Sequence, residues 1–297
     1  MYDIGTLHRA TSIEDALTAL KANPEATLIS GGTDVLIKIR EGKMDGCALV
    51  DISNVKELKG ISLSDNGDIV IKSGTVFSAI TKNPIIQAHI PMLGEAVDQV
   101  GGPQIRNMGT IGGNLCNGVT SADSGATTCT LGATLVLQSL QGVREVPITE
   151  WYAGAGKTVC QKDEILVSVN IPKKEYENFY GHYIKYGKRN AMEIATLGAA
   201  VNLKLSSDGK TVEDIRIAFG VASPNPMRCP VTEEKIKGMT VSIETAQTLG
   251  SLVLTEVNPR TSWRASKEFR LQLVEELSTR AFIEAVARAG GEKLCLK

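Results

Sequence analysis

The feature that most restricts what this chain can fold into is the stretch 101–123, GGPQIRNMGTIGGNLCNGVTSAD. Glycines at 101, 102, 109, 112, 113 and 118 are interleaved with Asn107, Thr110, Asn114, Asn117, Thr120 and Ser121. A simple turn needs far less backbone freedom and hydrogen-bonding capacity. Glycine has no Cβ, reaches positive φ at little cost and lets backbone N–H groups come close to a ligand. The stretch therefore reads as a loop that wraps something, and an anion such as a dinucleotide pyrophosphate suits it.

A second glycine-centred segment, Gly31-Gly32-Thr33-Asp34, follows the compact apolar run 26–30. Neither this segment nor 109–114 matches the G-x-G-x-x-G pattern of a βαβ unit or the G-x-x-x-x-G-K-[ST] phosphate loop, which disfavours both nucleotide folds. One Gly-Gly pair by itself is an ordinary tight turn. Two such segments with hydroxyl and amide side chains beside the glycines point to a shared anion.

At 297 residues the chain exceeds the usual single-domain range of roughly 50 to 250 residues, so two domains are expected. The polar run 172–178 is the best boundary. The first unit would span 1–174, with subdomains of about 1–55 and 56–174. Its strands are expected at 26–30, 47–52, 133–138 and 165–171. A hairpin is expected at 60–64 and 68–73, turning at Asp65-Asn66-Gly67. Helices are expected after a Ser12 N-cap, at 35–42 with Thr33 or Asp34 as cap, at 75–82 and at 92–100. The second unit, 179–291, reads as strands 181–189, 196–205 and 212–221, then helices 231–237, 243–257 and about 266–289. Strands first and helices last make an α+β unit. In the last helix Phe269, Leu273, Val274, Leu277, Ala281, Phe282, Ala285 and Val286 form an apolar stripe, which is core.

With 32 basic against 33 acidic residues the net charge is −1, which provides no field to hold nucleic acid or an anionic membrane. The six cysteines are scattered without a C-x-x-C, and His8, His89 and His182 are isolated, so no metal or iron-sulfur site is expected. Scattered thiols suit a reducing cytoplasm, and no run approaches the ~20 apolar residues of a spanning helix. Cys116 reads as a packing residue, since nothing nearby lowers its pKa. Arg106 is the nearest fixed positive charge to the central stretch, and suits either a phosphate or a surface carboxylate.

QIRNMGTIGGNLCNG and TLISGGTD, together with EILVSVNIP, HYIKYGKR and SWRASKEFR, resemble the FAD-binding subunits of the molybdenum hydroxylases, the xanthine dehydrogenase group. The similarity runs over nearly the whole chain and is strongest to bacterial xanthine dehydrogenase flavin subunits. The resemblance implies an FAD-binding fold of the vanillyl-alcohol oxidase (PCMH) type in two subdomains. A C-terminal α+β domain like that of the CO dehydrogenase flavoprotein would follow it. By match of motif, FAD would be held by Thr27, Leu28, Ile29, Ser30, Gly31, Gly32, Thr33 and Asp34, and by Gly109, Thr110, Ile111, Gly112, Gly113 and Asn114, largely through backbone amides. A β-carbon added at Gly112 or Gly113 would then block close approach. Val100, Asp123, Ile165, Leu166 and Lys185 align with further cofactor contacts. Val100 equally suits the last core turn of its helix, Asp123 a helix N-cap and Lys185 a solvated strand end.

The implied role is electron transfer. Two-iron two-sulfur clusters on one partner subunit would supply electrons taken from a substrate at a molybdenum-cofactor-binding large subunit, the substrate of such a heterotrimer being xanthine or hypoxanthine, and NAD would accept a hydride. No residue of this chain is required as a catalytic acid or base. A stand-alone FAD oxidoreductase and a non-redox nucleotide-binding scaffold are the rival readings.

Overall fold

The computed structural model describes residues 2–295, an α+β arrangement of three sheets and a small hairpin. The first sheet is parallel, in the order β1-β3-β2. It is formed by β1 (Ile4–Arg9), β2 (Thr27–Ile29) and β3 (Cys47–Asp51), with α1 (Ile13–Ala22) and α2 (Val35–Arg40) as the intervening helices. Ser12 caps α1 by accepting from Asp15 N at 3.1 Å, and Ile13, Ala16, Leu17 and Leu20 turn one helical face onto Val50 and Ile52. Strand β1 is absent from the sequence expectations. Its side chains beyond Ile4 are exposed, so it carries no apolar alternation to read.

The second sheet is antiparallel, in the order β4-β5-β10-β6-β7. Its strands are β4 (Ile61–Leu63), β5 (Ile69–Lys72), β6 (Thr134–Ser139), β7 (Gly142–Pro147) and β10 (Ile165–Ile171). Between β5 and β6 lie α3 (Phe77–Lys82), α4 (Pro84–His89), α5 (Pro91–Val97), α6 (Pro103–Arg106), α7 (Ile111–Cys116) and α8 (Asp123–Thr130). After β7 come α9 (Ile148–Trp151) and the hairpin of β8 (Tyr152–Gly154) and β9 (Lys157–Thr158).

The glycine-rich stretch is therefore not one loop: it is built from two short helices, α6 and α7, joined by turns, and it ends where α8 begins. Helix α8, DSGATTCT, has poor intrinsic propensity, yet every one of its residues is buried. Tertiary packing overrides propensity there, and the hydroxyls of Thr127, Thr128 and Thr130 bond to carbonyls three or four residues back. Helix α5 stops at Val97 rather than at residue 100, and the chain turns at Gly101, whose φ is +53°.

The third sheet, antiparallel in the order β11-β12-β13-β14, is formed by β11 (Tyr180–Tyr186), β12 (Leu197–Leu205), β13 (Val212–Gly220) and β14 (Met227–Arg228). Helices α10 (Pro230–Ile236), α11 (Ile243–Val253) and α12 (Lys267–Arg288) follow. Alternate residues Leu197, Ala199, Val201 and Leu203 of β12 pack toward the helical side with Val274, Leu277 and Phe282. Ala200, between them, belongs to the other core with Leu93 and Ala126. This sheet is thus covered on both faces, which is why β12 reads as a continuous apolar run.

Fully burying a Leu, Val or Phe side chain of α12 contributes ~1.5–3 kcal/mol. Phe269 is a correction to the expected stripe: it is 39% exposed and lies edge-on to Tyr186. Ser266 caps α12, and Arg270 beneath it donates to Ser262 Oγ at 2.8 Å and to the carbonyls of Thr196 and Arg260.

Candidate functional site

A cavity of about 550 Å³ opens between the first and second sheets, with the β11–β12 connection at its edge. Its size falls within the range typical of small-molecule and cofactor sites, roughly 300–1,000 Å³. The walls include Thr27, Leu28, Ser30, Gly31, Gly32, Thr33, Asp34, Val100, Gly109, Thr110, Gly112, Gly113, Asn114, Asp123, Ile165 and Leu166. Residues as far apart in sequence as Thr27 and Ile194 are brought together by the fold.

The first segment leaves β2 at Ile29 and enters α2 at Val35. Gly32 has φ +71°, a left-handed conformation that favours glycine, and a Cβ on Gly31 would lie 1.9 Å from the Met108 carbonyl oxygen. The two glycines thus let the segment turn sharply and press against the chain before Gly109. Among the described residues, the N–H groups of Ser30, Gly31, Gly32, Thr33 and Asp34 have no acceptor within the protein. Successive unpaired donors on a concave wall form an anion-binding surface, because each costs free energy unless water or a ligand satisfies it. Asp34 sits at the N-cap of α2 but makes no side-chain capping bond.

The second segment departs from expectation. Its amides are mostly used by the fold. Gly109 N donates to Ile105 O at 2.7 Å, Ile111 N to Thr75 O at 3.1 Å, Gly112 N to Ser73 O at 2.8 Å, and Gly113 N to Thr110 Oγ1 at 3.1 Å. What it presents to the cavity is side chains and close-packed backbone. Thr110 Oγ1 also reaches Ser30 Oγ at 3.4 Å, linking the two segments, and Ser124 Oγ fixes Asn114 by donating to its Oδ1 at 2.6 Å. A Cβ on Gly112 would stand 2.6 Å from Ser73 Cβ, so this glycine serves the packing of α7 on the turn after β5. A Cβ on Gly113 would meet only Thr110 Oγ1, at 3.0 Å, with open space beyond.

Three of the expected contact residues are not on the wall. Ile29 packs with Ile39 and Leu49, and Ile111 is fully buried in the main core, so neither offers its side chain to a ligand. Lys185 lies behind Asp123, to which its Nζ is 2.8 Å distant, and it also donates to Gln99 O at 2.9 Å. It is therefore no solvated strand end.

Asp123 is not the N-cap of α8. Ala122 occupies that position, and the Asp123 carboxylate accepts from Tyr183 Oη at 2.7 Å and from Lys185. Burial pushes the Asp123 carboxyl above its ordinary value, and the Lys185 ammonium and Tyr183 hydroxyl oppose that shift. Burial, together with the Asp123 charge, lifts the Tyr183 phenol well above its usual range.

Val100 serves both readings, lining the cavity while packed against the core. Ile165 and Leu166 open β10 and face different cores, one on each side of the strand. An irregularity between Leu166 and Ser168 breaks the ladder with β6 beside the cavity, a common place for a bulge. Arg106 is spent elsewhere: its Nε pairs with Asp98 at 3.1 Å and it donates to the carbonyls of Val100 and Gly101. Cys116 is exposed to the cavity, but its thiol is held well above the ordinary thiol range by the neighbouring Cys160 thiol and by desolvation.

The sequence reading missed Lys38, Phe77, Asn117, Met192, Glu193 and Ile194, all of which line the cavity. Lys38 had a legible signal, since it follows Asp34 by four residues and so shares its helical face. Met192 to Ile194 had none: they lie in the irregular connection between β11 and β12, where Met192 adopts φ +53°.

The chain matches the family described as the FAD binding domain in molybdopterin dehydrogenase over residues 2–174, and the CO dehydrogenase flavoprotein C-terminal domain over 182–285. It is 42% identical to the xanthine dehydrogenase FAD-binding subunit of Escherichia coli O157:H7 across 98% of this chain and 99% of that one. Among solved structures it is similar to carbon monoxide dehydrogenase from Hydrogenophaga pseudoflava. That match has a TM-score of 0.91 and 28% identity, covering 97% of this chain and 99% of that chain. Quinoline 2-oxidoreductase from Pseudomonas putida 86 is equally similar, with a TM-score of 0.91, 26% identity and the same coverage.

Proposed function

The chain belongs to the FAD-binding subunits of the molybdenum hydroxylase family and is xanthine dehydrogenase-like, and we propose from this premise that it carries electrons from two-iron two-sulfur clusters of a partner subunit to NAD. The family is one of oxidoreductases, and FAD is its cofactor in this chain. The assembly would include a molybdenum-cofactor-binding large subunit, where the substrate is oxidised. The substrate proposed is xanthine or hypoxanthine, as the E. coli relative suggests.

The observation that carries this reading is the concave wall at 30–34, with unpaired amides on one side of a cavity whose other walls combine apolar residues such as Phe77, Val100, Ile165 and Leu166 with a few polar side chains. That donor set fits a diphosphate, and the apolar remainder fits a planar ring system. Bound there, FAD supplies reversible two-electron redox chemistry that can also be filled one electron at a time.

The residues of this chain hold, orient and shield. Ser30 to Asp34 would take the diphosphate through backbone N–H groups, with Thr110 and Asn114 completing the grip. Thr27, Leu28, Gly109, Gly112 and Gly113 shape the wall, and Val100, Ile165 and Leu166 exclude water. Asp123, clamped by Lys185 and Tyr183, places one buried carboxylate on the wall. In this reading the FAD-holding unit is 1–174, with subdomains of about 1–55 and 56–174, and 179–291 is the unit that closes over it.

Quinoline 2-oxidoreductase and carbon monoxide dehydrogenase contain chains of the same fold, although their names specify unrelated substrates. The choice of substrate is therefore assigned to the partner subunit. The test is anaerobic reduction of the FAD-loaded chain. NADH alone should bleach the flavin absorbance and xanthine alone should leave it unchanged. Reduction by xanthine without partners would instead make the chain a self-contained oxidoreductase.

A further inference from the structure

A positive charge would strengthen a diphosphate site beyond what backbone amides give, and the two cations weighed as cofactor contacts, Arg106 for a phosphate and Lys185 for the flavin, are already matched. Arg106 pairs with Asp98, and Lys185 pairs with Asp123. Among the described residues, Lys38 is the only lysine or arginine that lines the cavity.

Lys38 makes no ion pair, and its Nζ approaches Asn117 Oδ1 at 3.4 Å, a long and weak contact. The side chain does not fold back to Asp34 one turn earlier. It crosses from α2, which follows the first glycine segment, to the end of α7, which carries the second. The unpaired amides of 30–34 lie in the turn immediately before α2. Donors without acceptors and an ammonium without a counter-charge therefore face the same space.

We propose that Lys38 is a diphosphate-binding residue of the cofactor site, exchanging its contact with Asn117 for a phosphate oxygen. Lys38 thereby favours a cofactor that carries a diphosphate over an uncharged flavin. This inference rests on the FAD reading above. Its physical content is electrostatic: an ammonium facing a phosphate gains Coulomb energy that salt screens, whereas a tether between two helices gains none. Lys38 is exposed on a short helix, so its replacement leaves the core intact.

The experiment is titration of the full chain with FAD, followed by flavin fluorescence at low and high NaCl, for the wild type, Lys38→Met and Lys38→Arg. Lys38→Met should weaken FAD binding about tenfold at low salt, equivalent to about 1.4 kcal/mol, and should flatten the salt dependence. Lys38→Arg should retain most of both. Unchanged affinity in Lys38→Met would overturn the proposal. So would weakened affinity with an unaltered salt dependence, because that pattern belongs to a tether. Failure of the wild type itself to bind FAD would overturn the underlying reading along with it.

Discussion

Lys185 Nζ lies 2.8 Å from Asp123 Oδ2, and this buried ion pair ties β11 of the third sheet to the helix on the cavity wall. Both side chains are nearly inaccessible, so neither charge has water to fall back on. Removing one partner of such a pair typically costs ~3–5 kcal/mol, because the other is left buried and uncompensated.

The two halves of the pair should respond differently to pH. In Lys185→Met, Asp123 loses the cation that opposes its burial, and its carboxyl rises further above the ordinary 3.8. A carboxyl raised in the folded state contributes stability below its unfolded value and loses it as pH climbs through the folded value. The deficit of Lys185→Met relative to wild type should therefore be small in acid and grow toward neutrality, as measured by urea denaturation across pH. In Asp123→Leu the stranded lysine should keep the deficit large throughout that range.

Gly112 and Gly113 are adjacent in sequence and opposite in role. Gly112→Val should destabilise the fold by at least ~1–3 kcal/mol, the usual cost of overpacking, since its Cβ meets Ser73 backbone and side chain. Gly113→Val should melt close to wild type but bind FAD more weakly, because its side chain enters the cavity. Thermal melts paired with FAD titrations separate the two outcomes, and equal behaviour of both variants in both assays would contradict this division.

Beside the cavity, Arg144 holds Glu164 with bonds of 2.5 and 2.7 Å, and Gln161 N donates to the same carboxylate at 2.8 Å. These contacts, led by Arg144, keep the Glu164 carboxyl below its ordinary 4.5. A depressed carboxyl contributes stability above its unfolded value and loses it as pH falls through the folded value. Wild type should accordingly lose stability below about pH 4.5 partly through this site. In Arg144→Met that acid-side loss should shrink, and the two stability curves should converge in acid.

Much of the cavity wall was legible because glycine-centred backbone builds it. Gly31, Gly32 and Gly113 reveal themselves by lacking a side chain where hydroxyls and amides crowd, and the lack of phosphate-loop or dinucleotide-fold spacing disfavoured the common nucleotide folds. The division of labour between the two segments was not legible. Whether the N–H of Gly112 is free or bonded depends on Ser73, thirty-nine residues away, and no local pattern encodes that contact. Helix α7 was hidden for a related reason, and α8 showed only as an alternative reading of Asp123: IGGNLC and DSGATTCT are poor helix formers that become helical through burial. Lys185 became a candidate only through the family resemblance, since a lysine in a lysine-rich strand end carries no sign that a buried aspartate faces it. Lys38 did carry a legible signal, one helical turn after Asp34, but Arg106 stands nearer in sequence to the central stretch and drew the phosphate reading instead.

The central claim is that backbone amides of 30–34 grip the cofactor while those of 109 and 111–113 are already committed to the fold. Amide hydrogen exchange with and without FAD tests it directly, resolved to short peptides covering both segments. Exchange in 30–34 should be fast in the cofactor-free chain and strongly slowed by FAD, whereas Ile111 to Gly113 should be protected in both states. Flavin bound at full occupancy with unchanged exchange across 30–34 would contradict the account.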